Sequence, residues 1–266
     1  MVLMAVPSIA LESVAEQVSP YLSEGVIVIN VAKGFHPTSH ERLSLVLDKA
    51  FSKKKAKIVC LIGPSHAEEV VLRLLTSVNA VSLNEEASKT VQRAFSNHYF
   101  RVYRNQDMIG AEIGVALKNI MAIASGILDG IGQGDNAKAA LMTRGLAEIS
   151  RYGLYFGAKP ETFLGLDGVG DLIVTCTSHH SRNFMAGYAI GKENSAESFL
   201  QKNQKTVEGM YAAKIVYEEA KRIGIEMPII NEVYAILYEG KSPTESLMDL
   251  MARELKADKT KKLGYS

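Results

Sequence analysis

Short apolar runs alternate with helix-patterned segments along the first 105 residues. The runs are Val2–Val6, Val26–Val31, Ile58–Ile62, Ala80–Leu83 and, more weakly, Phe100–Tyr103. Between them, segments such as Glu41–Phe51 and Ala67–Leu75 carry apolar residues at helical spacing. Strands that alternate with helices of this length form βαβ units, which build a parallel sheet with right-handed crossovers. The pattern therefore predicts an α/β domain with a parallel sheet over residues 1–105.

The pattern changes after Asn105 to helices joined by glycine-rich turns, and no further strand is predicted. We therefore place a domain boundary near Asn105 and expect residues 106–256 to form an all-helical domain. The last residues, 257–266, are charged and aperiodic, which is typical of a loose tail. The predicted fold is α/β followed by all-α.

The most informative segment of the helical part is Ile109–Ile127, which is apolar on nearly every side but contains Lys118 and Asn119. A helix of this kind belongs inside a protein. A buried lysine favours its neutral form and can serve as a general base near neutral pH. The alternative is an ordinary lysine whose stem packs while its charged end reaches the surface. The segment alone does not separate these two interpretations.

Composition and charge exclude several classes of protein. Of the 266 residues 47% are hydrophobic and 22% are charged, as in a globular protein. The net charge of +1 argues against a protein that binds nucleic acid or anionic membrane by bulk charge. The two cysteines, Cys60 and Cys176, lie far apart in apolar runs, which suits a reducing cytoplasm and indicates neither disulfide nor metal site. The first apolar run is too short for a signal peptide or a membrane span. We expect a cytoplasmic protein without membrane insertion.

Polar residues follow the predicted strands at three places: Val6–Ser8, Val31–Gly34 and Ile62–Glu68. Ligands of open α/β sheets bind beyond the carboxyl ends of the strands. Lys33 is therefore a candidate ligand contact, with a solvated turn lysine as the alternative. Ser65 forms an S-x-x-E pattern with a glutamate and can equally be a helix N-cap. Helix N-termini at strand ends nevertheless attract anions.

A second cluster of polar residues lies in Gly165–Asn183. Its glycines do not form a dinucleotide fingerprint, because no strand precedes them and their spacing is wrong. Asp171 can be an N-cap for the apolar turn that follows it. Ser181 is a plausible N-cap that places Arg182 at the first helical position, where a cation opposes the helix dipole. A phosphate held between the guanidinium and the backbone N–H groups would account for this placement.

Taken together, these residues closely resemble the NAD(P)-dependent glycerol-3-phosphate dehydrogenase family of the bacterial type. The likeness runs from about Met4 to Arg253, and the long motif at 129–153 is highly specific. The matching segments are A-V-P-S (5–8), N-V-A-K-G (30–34), I-G-P-S-H-A (62–67), F-R-V-Y (100–103), A-L-K-N (116–119), D-G-I-G-Q-G-D-N-A-K-A-A-L-M-T-R-G-L-A-E-I-S-R-Y-G (129–153), G-V-G-D-L-I-V-T-C-T (168–177), S-R-N (181–183), V-E-G (207–209) and M-P-I (227–229).

The resemblance implies an activity and a role for each candidate residue. The family interconverts sn-glycerol 3-phosphate and glycerone phosphate by hydride transfer with NAD or NADP, and so feeds glycerophospholipid synthesis. Lys118 resembles the proton acceptor. The residues that resemble substrate contacts are Lys33, Gly63, Ser65, Asn119, Asp171, Ser181, Arg182 and Asn183. Those that resemble cofactor contacts are Lys33, Ala67, Arg182, Thr206 and Glu208. The expected partner is a small phosphate-bearing molecule, and a homodimer is among the open oligomeric states.

The sequence departs from the family at its beginning. The family is expected to open with a strand and a glycine-rich pyrophosphate loop, followed by two more βα units before the Val-Pro-Ser strand. The 266 residues start at that strand and contain no G-x-G-x-x-G. The resemblance therefore predicts a truncated Rossmann-type sheet. It does not decide whether the cofactor is NAD or NADP. It also leaves an alternative function, a catalytically inactive remnant that acts as a substrate-binding or dimerisation module.

Overall fold

Residues 1–203 and 206–255 are described by the computed structural model, and they divide into two units. The first unit contains Met1–Ala116 and Gly157–Asp171. The second contains Leu117–Phe156 and the described residues from Leu172 onward. The predicted tail, 257–266, lies outside the described residues.

The first unit is built on a five-stranded sheet in the order β1-β2-β3-β4-β5. Its strands are β1 Val2–Met4, β2 Ile27–Asn30, β3 Lys57–Ile62, β4 Thr76–Val81 and β5 Phe100–Asn105. Three of the four strand pairs are parallel, so the predicted Rossmann-type sheet is confirmed. The β3–β4 pair is antiparallel, with Cys60 opposite Val81, so the expectation of a wholly parallel sheet is wrong at this pair.

The antiparallel pair goes with a connection between β3 and β4 that has no helix packed on the sheet. The predicted helix Ala67–Leu75 ends at Val71, and β4 starts at Thr76, earlier than the predicted Ala80. A parallel pair needs a crossover of a dozen or more residues, usually with a helix that packs on the sheet. Residues 63–75 are long enough for such a crossover, but their only helix, α3, has no buried residue, so it does not pack on the sheet and the chain turns back beside β3.

Helices cover both faces of this sheet. The helices up to β5 are α1 Leu11–Val18, α2 Leu43–Ala50, α3 Ala67–Val71 and α4 Glu85–Phe95. Val28 packs with α1 and α2, whereas its neighbour Ile29 packs with α4 on the opposite face. This alternation follows from the two-residue period of a strand. Each face of β2 therefore contributes to a separate apolar core.

The chain is helical after β5, as predicted. The remaining helices are α5 Met108–Gly130, α6 Asp135–Tyr155, α7 Pro160–Phe163, α8 Asp171–Thr177, α9 Arg182–Glu193, α10 Glu197–Lys202, α11 Glu208–Ile223, α12 Pro228–Tyr238 and α13 Pro243–Met251. A π-helical turn, Leu166–Gly170, precedes α8. Helix α5 is long and apolar enough to cross a membrane, but its apolar window is fully buried, as in the core helix of a globular protein.

Glycines allow α5 and α9 to pack backbone against backbone in the second unit. A Cβ added to Gly187 would lie 2.0 Å from the carbonyl oxygen of Ile123. A Cβ added to Gly126 would lie 2.0 Å from the carbonyl oxygen of Phe184. No side chain fits at such distances without moving a helix, because interiors are close-packed. The two glycines therefore set the separation of α5 and α9.

Buried glutamates supply the N-terminal caps that two helices lack. In the first unit Glu112 accepts hydrogen bonds from the backbone N–H of Ser44, at 2.8 Å, and from Arg42 Nη1, at 2.9 Å. In the second unit Glu148 accepts from the backbone N–H groups of Ile229, at 2.8 Å, and Ile230, at 3.3 Å. Helices α2 and α12 have no side-chain cap of their own. Each glutamate thus satisfies N–H groups that a helix start leaves unpaired.

Burial of Glu148 makes the stability of the protein depend on pH. Desolvation raises the pKa of Glu148 to about 7 despite the hydrogen bonds from Ile229 and Ile230. This pKa lies above the value of 4.5 in the unfolded chain. The stabilisation that the neutral Glu148 carboxyl group gives the folded protein is therefore fully present below pH 4.5 and is lost as pH rises through about 7. The loss is up to about 3 kcal/mol. Glu148→Gln should remove this dependence of stability on pH. It should also lower stability by about 1–3 kcal/mol at every pH, because the glutamine NH₂ group cannot accept a hydrogen bond from one of the two backbone N–H groups.

Urea unfolding at several pH values between these limits measures the slope. The matched control is Glu161→Gln, because Glu161 is exposed and should keep the wild-type slope. If Glu148→Gln and the wild-type protein lose stability with pH at the same rate, Glu148 does not carry the dependence.

Candidate functional site

Three of the predicted site residues meet in the first unit. Lys33, which follows β2, donates a hydrogen bond from Nζ to Asp171 Oδ2 at 3.1 Å and another to the carbonyl oxygen of Gly63 at 3.0 Å. Asp171 is 1% exposed, whereas the Lys33 side chain is 21% exposed. An ammonium group has three donors. These two bonds leave one N–H of Lys33 for a ligand.

Gly63 needs to be a glycine for two reasons. Its φ is +144°, a conformation that side chains rarely adopt, and an added Cβ would lie 3.0 Å from Val78 Cα. The end of β3 can therefore take this conformation beside Val78 and present the carbonyl oxygen of Gly63 to Lys33.

Ser65 does not act as the helix cap that its sequence pattern suggested. Its hydroxyl donates to the carbonyl oxygen of Gly63 at 2.9 Å. Helix α3 starts at Ala67, which is exposed, and His66 precedes it without a side-chain cap. The predicted capping box is therefore wrong, because Ser65 bonds back towards β3 instead of forward to the helix.

A buried acid that the sequence interpretation missed, Asp167, lies one turn before Asp171. Its Oδ2 accepts from Asn79 Nδ2 at 2.7 Å and from Asn105 Nδ2 at 3.0 Å, while its buried Oδ1 has no partner among the described residues. Desolvation, with a smaller contribution from the charge of Asp171, raises the pKa of Asp167 to about 6. The two asparagines and Lys33 oppose this shift. An asparagine inside the β4 strand is unusual and was the available signal.

Lys118 is buried in the second unit. It is 4% exposed, and its Nζ donates to Thr175 Oγ1 at 2.7 Å. The interpretation of Lys118 as a lysine that reaches the surface is therefore wrong. Thr175, on α8, is 3% exposed and was also missed. The signal for it was weak, since one threonine in an apolar helical turn is common.

Asn119 and Asn183 hold the start of α11. Asn119 Nδ2 donates to Glu208 Oε2 at 3.4 Å, and the backbone N–H of Gly209 donates to Asn183 Oδ1 at 2.8 Å. Thr206 is exposed just before this helix. The structure thus brings Asn119, Asn183 and Glu208 together.

Helix α9 begins as predicted. The Ser181 hydroxyl accepts from the backbone N–H of Phe184 at 3.2 Å, and Arg182 is the first helical residue. Arg182 is exposed and forms no ion pair within 1–203 and 206–255. An unpaired cation beside the N–H groups of a helix start is suited to an anion such as a phosphate.

The two units thus carry different chemical groups. The first presents an ammonium group paired with a buried carboxylate at the end of a sheet. The second holds a buried amine bonded to a hydroxyl, together with an exposed guanidinium group. Among the described residues no group of three or more His, Cys, Asp or Glu side chains is arranged to hold a metal ion. The polar groups are suited to proton transfer and anion binding.

Comparison with protein families identifies both parts of the chain. Residues 107–248 match the family described as NAD-dependent glycerol-3-phosphate dehydrogenase C-terminus. Residues 1–88 match the corresponding N-terminus family.

Individual relatives agree with these matches. The chain is 50% identical to glycerol-3-phosphate dehydrogenase [NAD(P)+] of Geobacillus kaustophilus over 97% of this chain and 75% of the relative. It is 51% identical to the Staphylococcus aureus protein of the same description over 96% of this chain and 77% of the relative. Among solved structures, glycerol-3-phosphate dehydrogenase from Coxiella burnetii matches with a TM-score of 0.87 and 37% identity, over 94% of this chain and 76% of that one.

Proposed function

Because the chain belongs to the NAD-dependent glycerol-3-phosphate dehydrogenase family, we propose that it interconverts sn-glycerol 3-phosphate and glycerone phosphate with NAD or NADP. The observation that carries the proposal is the buried Lys118 amine, held by Thr175 at 2.7 Å. A bound nicotinamide would supply the hydride acceptor for oxidation of the secondary alcohol and the hydride donor for the reverse reduction.

Lys118 is the general base of this proposal. Burial favours the neutral amine, which can take the proton of the C2 hydroxyl during oxidation and return it during reduction. Thr175 accepts a hydrogen bond from Lys118 and so orients the amine. Asn119, next along α5, supports the same region by its bond to Glu208.

Arg182 binds the phosphate group of the substrate in this proposal. Its guanidinium and the first N–H groups of α9 offer donors to phosphate oxygens. Ser181 fixes the start of the helix, and Asn183 fixes the neighbouring start of α11. The further proposed substrate contacts are Lys33, Gly63, Ser65, Asn119 and Asp171. The proposed cofactor contacts are Lys33, Ala67, Arg182, Thr206 and Glu208.

The setting of the activity is also a proposal. We place it in the cytoplasm without membrane insertion, as a step that feeds glycerophospholipid synthesis, with a dinucleotide-binding domain over 1–105 and a substrate domain over 106–256. The second candidate function is a substrate-binding or dimerisation module without turnover.

Lys118→Ala should lower kcat about 10²-fold or more, because a positioned acid–base group is lost. The assay is reduction of glycerone phosphate by a chain joined to the glycine-rich segment that the family is expected to carry. Lys214→Ala, a change at an exposed lysine on α11, is the matched control. A nearly unchanged kcat for Lys118→Ala would remove this residue from the mechanism.

Arg182→Ala should weaken the binding of glycerol 3-phosphate about 10- to 100-fold, because charge-assisted hydrogen bonds to the phosphate are lost. Binding of unphosphorylated glycerol should be poor in both proteins and unchanged by the substitution. Calorimetric titration of both compounds measures the difference, with Lys192→Ala on the same helix as the control. Equal losses for the two compounds would show that Arg182 does not bind the phosphate.

The 266-residue chain by itself should bind NADH more weakly than micromolar. The pyrophosphate of a dinucleotide is normally held by backbone N–H groups of a glycine-rich loop at a helix N-terminus. No G-x-G-x-x-G occurs in the 266 residues. Titration followed by NADH fluorescence tests this expectation. Micromolar affinity would overturn it and would also argue against the module without turnover.

A further inference from the structure

The carboxyl group of Asp167 is satisfied on one side only. Its Oδ2 accepts two amide hydrogens, from Asn79 at 2.7 Å and Asn105 at 3.0 Å. Its Oδ1 is buried and has no partner among the described residues. A carboxylate spreads its charge over both oxygens, so a bare buried oxygen is costly in the ionised form. A neutral acid, with its carbonyl oxygen at Oδ2, matches this pattern of donors better.

The charged neighbours of Asp167 within the first unit also favour its neutral form. Asp171 lies one turn later along the chain and carries a negative charge that opposes ionisation of Asp167. The positive charge of Lys33 favours ionisation, but Lys33 is bonded to Asp171. Of the two charged groups that act on Asp167, Asp171 therefore opposes its ionisation more than Lys33 favours it.

The other neighbours of Asp167 among the described residues of the first unit are neutral. Asn79 on β4 and Asn105 on β5 are neutral, and α5 approaches Asp167 through the glycine Gly114. Several other buried titratable groups of the first unit are already bonded or are neutral. Among them are Glu112, paired with Arg42; Asp107, bonded to Thr162 and to backbone N–H groups; and the Cys60 thiol, whose pKa is raised by burial.

We propose that Asp167 is a positioning residue that controls how Lys33 is shared between Asp171 and an anionic ligand. In its neutral form Asp167 leaves the ammonium group of Lys33 with one carboxylate and a free N–H for the ligand. Ionisation of Asp167 adds a second negative charge beside Lys33 and weakens its attraction for the anion. This inference rests on the proposed role of Lys33 as a ligand contact.

The proposal gives the site a dependence on pH with a definite sign. The pKa of Asp167 is raised to about 6, so the neutral form dominates below that value and the ionised form above it. Anion binding through Lys33 should therefore weaken as pH rises through about 6. Asp167→Asn keeps the shape of the side chain and removes the charge, so it should bind the anion without this loss.

Carbon-13 NMR titration of the aspartate carboxyl carbons tests the coupling directly and needs no ligand. The Asp167 signal is assigned by its loss in Asp167→Asn. Its midpoint should lie near 6 in the wild-type chain. The midpoint should fall by about one pH unit in Asp171→Asn and rise by about one in Lys33→Met, the usual effect of one nearby charge. A midpoint below about 4, as for an ordinary aspartate, or one that neither substitution moves would overturn the proposal.

Calorimetric binding of glycerol 3-phosphate tests the consequence for the ligand. Between about pH 5 and pH 7.5 the wild-type affinity should fall about threefold relative to that of Asp167→Asn, which also corrects for titration of the phosphate itself. The same pH dependence in both proteins would contradict the positioning role. If neither protein binds glycerol 3-phosphate at any pH, the proposed function fails, while the NMR midpoints still decide whether Asp167 is coupled to Lys33 and Asp171.

Discussion

The requirement that every polar group in a buried helix has a partner organises much of this protein. Helix α5 is almost wholly apolar, yet it contains Glu112, Lys118 and Asn119. An unpaired buried polar group costs several times what a satisfied one contributes. Each of the three therefore needs a partner outside its own helix. Glu112 binds the start of α2, Lys118 binds Thr175 on α8, and Asn119 binds Glu208 at the start of α11. Elements distant in sequence are placed by these few bonds.

The sequence predicts well those features that depend on local pattern. The strands near Val26–Val31 and Ile58–Ile62, the change to helices after Asn105 and the start of α9 at Arg182 all follow from periodicity and capping, and all are confirmed. The antiparallel β4 was not predicted, because pairing direction depends on whether the helix in the connection packs on the sheet, which the local pattern does not show. Thr175 and Asp167 were missed because their partners lie far along the chain. The proposed roles of Lys118 and Arg182 rest on local sequence context and on the family resemblance.

Buried carboxyl groups divide here into two kinds. Glu112 and Glu148 accept backbone N–H groups at helix starts and stabilise the connections between elements. Asp167 and Asp171 lie one turn apart beside a single lysine, where their charges compete. Burial raises the pKa of Glu112, Glu148 and Asp167 alike, but only Asp167 lies beside Lys33, the lysine of the proposed ligand contact. Burial alone therefore does not identify a functional acid.

The contact between Gly126 of α5 and α9 has a consequence for substrate choice. Lys118 is carried by α5 and Arg182 by α9, and a glycine on each helix brings the two backbones into direct contact. No side chain separates them, so ordinary rotamer changes cannot alter the spacing of the helices. If Lys118 and Arg182 take their proposed roles, the backbone positions that carry the base and the phosphate contact therefore keep a constant separation. On that proposal, a molecule whose alcohol and anionic group lie much further apart would not engage both residues, and the glycine contact would favour substrates of one length.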